Sequence, residues 1–141
     1  MAYNLLLSPE FLEQGMVLYV AHPQIAEGNP HYWVVLNKEI DDSDPVLYLI
    51  ATSKIDRVEN YCKKVNPKLL NSLVFLNPVE ESLLTKDTVL NCNEVKPISL
   101  RQLNKLEVKY KGKLKEETIR KVIIAVEASV RVEVELKKKI V

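Results

Sequence analysis

The chain is poor in cysteine and histidine, and it has no long apolar run, no internal repeat and no low-complexity tract. Its 2 cysteines among 141 residues are Cys62 and Cys92, and neither belongs to a Cys-x-x-Cys pair. That scarcity argues against a disulfide framework and predicts buried free thiols in a reducing compartment, the cytoplasm. With only 2 histidines, His22 and His31, and no paired ligand spacing, no tetrahedral zinc cage is expected. The longest apolar runs fall far short of the ~18 residues that a membrane span needs. The opening MAYNLLLSPEFLEQG carries no basic region and no small-residue cleavage site, so no signal peptide is expected.

What is present fits a globular protein. Hydrophobic residues make up 47% and charged residues 28%, both ordinary values. A chain of this length suggests a single domain over residues 1–141 and can bury roughly 68% of its unfolded surface without a staple. The net charge of +1 hides an asymmetry. Residues 1–50 hold one basic residue, Lys38, against seven acidic ones, whereas residues 96–121 hold nine basic against three acidic. A basic segment this dense can contact phosphates, or it can be a solvated face.

Local patterns give the order of elements. Ser8 suits a helix cap and Pro9 a first helical position, which predicts a short helix over Ser8–Gln14 that Gly15 ends. Met16–Ala21, His31–Asn37, Val46–Thr52, Ser72–Leu76 and Thr88–Cys92 are strand-like, being rich in β-branched, aromatic and leucine residues. His22–Pro30 is a punctuated loop and Glu39–Pro45 an acidic turn. The stretch between Ser53 and Ser72 gives mixed signals, with a short helix near Pro67–Leu70. Ile98–Leu106 has near-helical spacing, and a basic connector follows over Lys105–Lys113 with a short strand at EVKY. Ile119, Val122, Ile123, Val126 and Val130 form one face of a long helix over Leu114–Ser129. VRVEVELKK alternates at period two and favours a strand or extended arm over residues 131–141, with a continued helix as the rival reading. Strands joined by loops imply a mainly antiparallel sheet. The expected fold is mainly β (α+β): a small, strongly curved antiparallel sheet or SH3-like partial barrel, with short helices and one long C-terminal helix.

Four stretches in this order resemble the MazF/PemK/Kid family of toxin endoribonucleases. QGMVLYV (residues 14–20) is similar to the family's opening strand, and HYWVVLN (31–37) to its Arg-Pro followed by apolar residues. VLYLIATSK (46–54) is similar to the strand ending in Thr-Ser, and KDTVLNCNEVKPISLRQL (86–103) to the strand that runs through a basic turn into a short helix. GKLKEETIRKVIIAVEASV (112–130) matches the closing helix. The likeness spans residues 14–130.

The resemblance implies metal-independent cutting of single-stranded RNA with no cofactor. It also implies a homodimer silenced by a protein antitoxin. The ribose 2′-OH attacks the adjacent phosphate, which needs a base, an acid and donors for the phosphorane charge. His31 stands where the family carries a functional Arg, and imidazole exchanges protons near neutral pH. Thr52 and Ser53 would donate hydroxyl hydrogen bonds. Lys54, Asn93, Lys96, Arg101 and Tyr32 complete the expected RNA-binding set, with one of Tyr32 and Trp33 stacking on a base and the other, Trp33, in the core. The triplet Asn91-Cys92-Asn93 departs from relatives that carry an Arg and an acidic residue there. Glu94 is one place off, which on a strand turns it to the opposite face. A non-catalytic nucleic-acid- or protein-binding module on the same fold is the alternative reading.

Overall fold

The computed structural model describes residues 7–22 and 30–141. Most of the expected loop over His22–Pro30 lies outside them. The elements run β1 (Met16–Ala21), β2 (His31–Val35), β3 (Val46–Thr52), α1 (Ile55–Val65), a 3-10 helix (Pro67–Ser72), β4 (Leu73–Leu76), β5 (Thr88–Asn91), β6 (Lys96–Ile98), α2 (Leu100–Leu103), β7 (Glu107–Lys113), α3 (Glu116–Ala128) and α4 (Val134–Ile140).

All strand pairs are antiparallel, in a 7-stranded sheet of order β4-β5-β3-β2-β1-β7, with β6 also on β3. The mainly β, antiparallel architecture expected from the sequence is the one observed. Its pivot is β3. Val46–Tyr48 pair with β6, and Ala51–Thr52 pair with β5. One strand edge therefore serves two partners in succession. Alternation along β3 supplies both faces. Leu47, Leu49 and Ala51 enter a core with α3 and α4 residues, while Val46 and Tyr48 enter a second core with Trp33, Leu18 and Leu103. Trp33 is buried, its ring stacked on Tyr48 at 3.8 Å and 5°. The expectation that Trp33 is the core residue of its pair holds.

Several boundaries differ from the sequence reading. Ser8–Gln14 makes only a turn, closed by bonds from the Phe11 and Leu12 N–H groups to the Ser8 carbonyl. Leu7 and Leu12 are both buried, so this segment packs across the sheet rather than winding into a helix. Gly15 is nevertheless a required glycine, with φ +87 and the Ile119 side chain where a Cβ would stand. β2 stops at Val35, and Asn37 then bridges the turn to β3. Its amide accepts from Leu47 N–H at 2.7 Å and donates to the Pro45 carbonyl at 3.0 Å.

Two elements were not expected. α1 is largely polar, but Ile55, Val58 and Cys62 recur at i, i+3, i+7 and pack on Leu69, Leu73 and Val89. β6 is three residues long with a proline at its centre, below what pattern reading resolves. The short strand expected at EVKY within the basic connector is present and longer, the seven-residue β7.

The expected strand or arm over residues 131–141 is a helix, α4. Its Glu, Leu and Lys favour a helix, and Ile140 is buried in the α3 core while Leu136, one turn earlier, packs against it. It is not a continuation of α3 either. Ser129 Oγ accepts from the Arg131 and Val132 N–H groups, which diverts the chain between the two helices. Val130, expected on the α3 face, is consequently exposed.

The N-terminus of α3 has no side-chain cap of its own at Lys115. A buried carboxylate from elsewhere serves instead. Glu81 Oε1 accepts from Lys115 N–H at 2.9 Å and from Thr118 Oγ1 at 2.6 Å. Cys62 and Cys92 are free and buried, and burial pushes the Cys92 thiol up to about 12. Among the described residues no helix is long and apolar enough to cross a membrane.

Candidate functional site

The register builds the site. Trp33 pairs with Ile50. Carried two residues on, that pairing sets His31 beside Thr52 at the open end of β2 and β3. The result is a cleft of about 290 Å³ lined by His31, Tyr32, Thr52, Ser53 and Lys54, and by Lys86 and Thr88 from the start of the neighbouring β5. A second cleft of about 550 Å³ shares His31, Thr52 and Lys54 and adds Arg57, Asn91, Glu94 and Lys96. His31, Thr52 and Lys54 line both clefts, which together make up the candidate groove.

Topology explains the second cleft. β5 and β6 pair with the same edge of β3, so the turn joining them lies against the middle of that strand, near Ile50. Asn91 and Lys96 frame the turn. α1 begins just after Thr52-Ser53-Lys54 and brings Arg57 to the same place. Lys54, Arg57, Lys86 and Lys96 give the groove its positive charge, and Glu94 is the one carboxylate among its described lining residues.

Six of the eight residues singled out in the sequence line this groove: His31, Tyr32, Thr52, Ser53, Lys54 and Lys96. Thr52 Oγ1 accepts from Lys54 N–H at 3.1 Å, which closes the strand end and leaves the hydroxyl hydrogen for donation. Ser53 is exposed. The Tyr32 ring meets Tyr19, also in the groove wall, at 5.0 Å.

Two residues are placed elsewhere. Arg101 is exposed on α2 and is not among the lining residues. Asn93 is buried at 3% exposure. Its amide donates to the Leu69 carbonyl and to Asn91 Oδ1, both at 2.8 Å, and accepts from Ser129 Oγ at 2.7 Å. A side chain so enclosed and so fully bonded has no face to offer RNA. The basic segment is also split. Lys113 pairs with Glu13 at 3.0 Å and Lys121 with Glu80 at 3.9 Å, while Lys105 lies in a separate cleft with His22 and Tyr48.

Glu94, Asn91 and Arg57 are the residues that the sequence reading missed. For Glu94 the strand-alternation argument failed because β5 ends at Asn91. The chain then turns, Glu94 N–H bonding the Asn91 carbonyl at 3.1 Å, and Glu94 enters the groove. Arg131, from the α3–α4 linker, pairs with its Oε1 and lies over the Tyr61 ring at 5.6 Å. Among the described residues no group of three His, Cys, Asp or Glu gathers that could hold a metal ion.

No protein-family model matches the chain, and no curated protein matches it in sequence. In three dimensions it is similar to the solved structure of an endoribonuclease from a mycobacterial species, with a TM-score of 0.53 and 15% identity. The match covers 83% of this chain and 89% of that one. At this identity the likeness establishes a shared fold, a distant endoribonuclease-like one.

Proposed function

We propose that this chain is a MazF/PemK/Kid-type endoribonuclease that cuts single-stranded RNA without a metal, the toxin of a toxin–antitoxin pair. The observation that carries the reading is the meeting of His31, Thr52, Ser53 and Lys54, from two separate strand ends, in one positively charged groove. In the proposed reaction the 2′-O–P bond forms as the P–O5′ bond breaks. The 2′-OH proton leaves to a base and O5′ takes up a proton, giving a cyclic phosphate and a 5′-OH. His31 is the proton-transfer group, the Thr52 and Ser53 hydroxyls donate to the phosphorane oxygens, and Lys54 offsets their charge. The expectations of a cytoplasmic homodimer and a protein antitoxin belong to the same reading, since a cationic groove suits an acidic inhibitory segment as well as RNA.

A second reading, a binding module without turnover, draws on the β5 end, where Asn91, Cys92 and Asn93 supply neither base nor cation. One experiment separates the two. Mixed-sequence RNA is incubated with the protein in EDTA, and new 5′-OH ends are sought. Cutting supports the enzyme. No cutting of any RNA, with RNA binding retained, supports the module.

A further inference from the structure

We propose that the Asn91–Glu94 half of the groove is a base-reading site whose preferred base is guanine. The inference rests on the RNA reading of the groove given above.

It starts from a charge in the wrong place. Phosphates are drawn to a groove lined by Lys54, Arg57 and Lys96, and Glu94, paired with Arg131, is the one carboxylate among those lining residues. A carboxylate there is unsuited to the RNA backbone and suited to donors on a base. It is also held in position: Arg131 takes Oε1 from outside the groove and is itself held by the Tyr61 hydroxyl at 3.3 Å.

Asn91 is oriented as firmly. Its Oδ1 accepts from the Asn93 N–H at 3.1 Å and from Asn93 Nδ2 at 2.8 Å, and Asn93 is fixed in turn by Ser129 and Leu69. With its oxygen occupied, the group that Asn91 offers is its NH₂. The same cleft therefore presents an acceptor-only carboxylate and an amide donor from the two ends of one turn, with Ile50 and Val58 as apolar lining.

That pattern is the complement of guanine. On its Watson–Crick edge guanine places the O6 acceptor beside two adjacent donors, N1–H and N2–H₂. The carboxylate can take both donors, one on Oε2 and one on the second lone pair of the Oε1 that Arg131 holds, while the Asn91 NH₂ bonds O6. Adenine, cytosine and uracil each offer the carboxylate a single donor on that edge. A bidentate contact to a charged group typically decides base choice by about tenfold or more. The cleft's 550 Å³ falls within the ordinary size of ligand pockets.

The test is fluorescence anisotropy with short 2′-O-methyl oligoribonucleotides, in which cleavage is blocked. One contains a single guanine in an adenine–uracil background, one has inosine at that position, which lacks the N2 amine, and one has neither. The wild-type protein should bind the guanine oligomer about tenfold more tightly than the inosine one. In Glu94→Gln that ratio should collapse, and binding of the guanine-free oligomer should strengthen because a negative charge is gone. Asn91→Ala should lower the guanine preference in part. Circular dichroism melts check that each variant folds. A wild-type protein that binds RNA with no guanine preference, or a preference that Glu94→Gln leaves intact, overturns the inference and leaves the RNA reading standing. Loss of cleavage of ordinary RNA in Glu94→Gln with the preference unchanged also overturns it, because Glu94 would then act on protons rather than on a base. No binding of any RNA, methylated or not, removes both.

Discussion

Replacing Glu81 tests how this fold holds its long helix. Glu81 is 2% exposed and lies at the N-terminus of α3, whose preceding residue Lys115 makes no side-chain cap. Glu81→Ala removes two hydrogen bonds to a buried carboxylate, each worth about 1.5–3 kcal/mol. It also removes a negative charge from the positive end of a thirteen-residue helix, worth up to about 2 kcal/mol in a partly buried setting. The Thr118 hydroxyl is left buried without its partner. These effects overlap, and the expected loss is about 3–5 kcal/mol, or ~10–15 °C in Tm for a domain of this size. Glu81→Gln keeps an acceptor at Oε1 and loses only the charge, so it should cost about 1–2 kcal/mol. Thermal and urea unfolding followed by circular dichroism would measure both. A Glu81→Ala protein that melts within ~3 °C of wild type would mean that Glu81 does not hold the start of α3. The consequence reaches the groove, because the chain that anchors Glu81 continues into Thr85, Lys86 and Thr88 on its wall.

Two further predictions concern the groove and the C-terminus. Lys54, Arg57, Lys86 and Lys96 can each take a phosphate; at ~0.7 per contact on single strands, log affinity should fall with log salt at a slope near −3. A flat response in a salt titration would remove the cationic groove from the account. Deleting residues 131–141 strips Ile140 from the core and the carbonyl that accepts from Gln14 Nε2 at 2.7 Å. Stability should drop by about 2–4 kcal/mol in urea titrations, and an unchanged midpoint would contradict this placement of α4.

The strands were legible because alternation and β-branched runs carry their own signal: β1 and β3 begin and end where the residue pattern does. α1 was hidden because one helical stripe of three apolar residues is weak against its charged background, and the Asn66-Pro67 stop was the cue that marked its end. The C-terminal segment misled for the opposite reason. Its period-two valines look like a strand, but Ile140 has a seat in the core only if the chain winds, and burial outweighs alternation at a solvent-exposed end. In the groove, His31, Thr52, Ser53 and Lys54 were legible as strand ends. Glu94 and Arg57 were not. One depends on where a strand stops, and the other on a helix whose start no capping residue marks.

The proton-transfer role of His31 can be measured by incubating the protein and its His31→Ala variant with mixed-sequence RNA in EDTA, with 5′-OH ends counted by end-labelling. The wild type should cut, and the variant should do so at least ~10²-fold more slowly, with RNA affinity held within a few fold. Equal cutting by the two proteins, or none by the wild type on any RNA, would contradict that role.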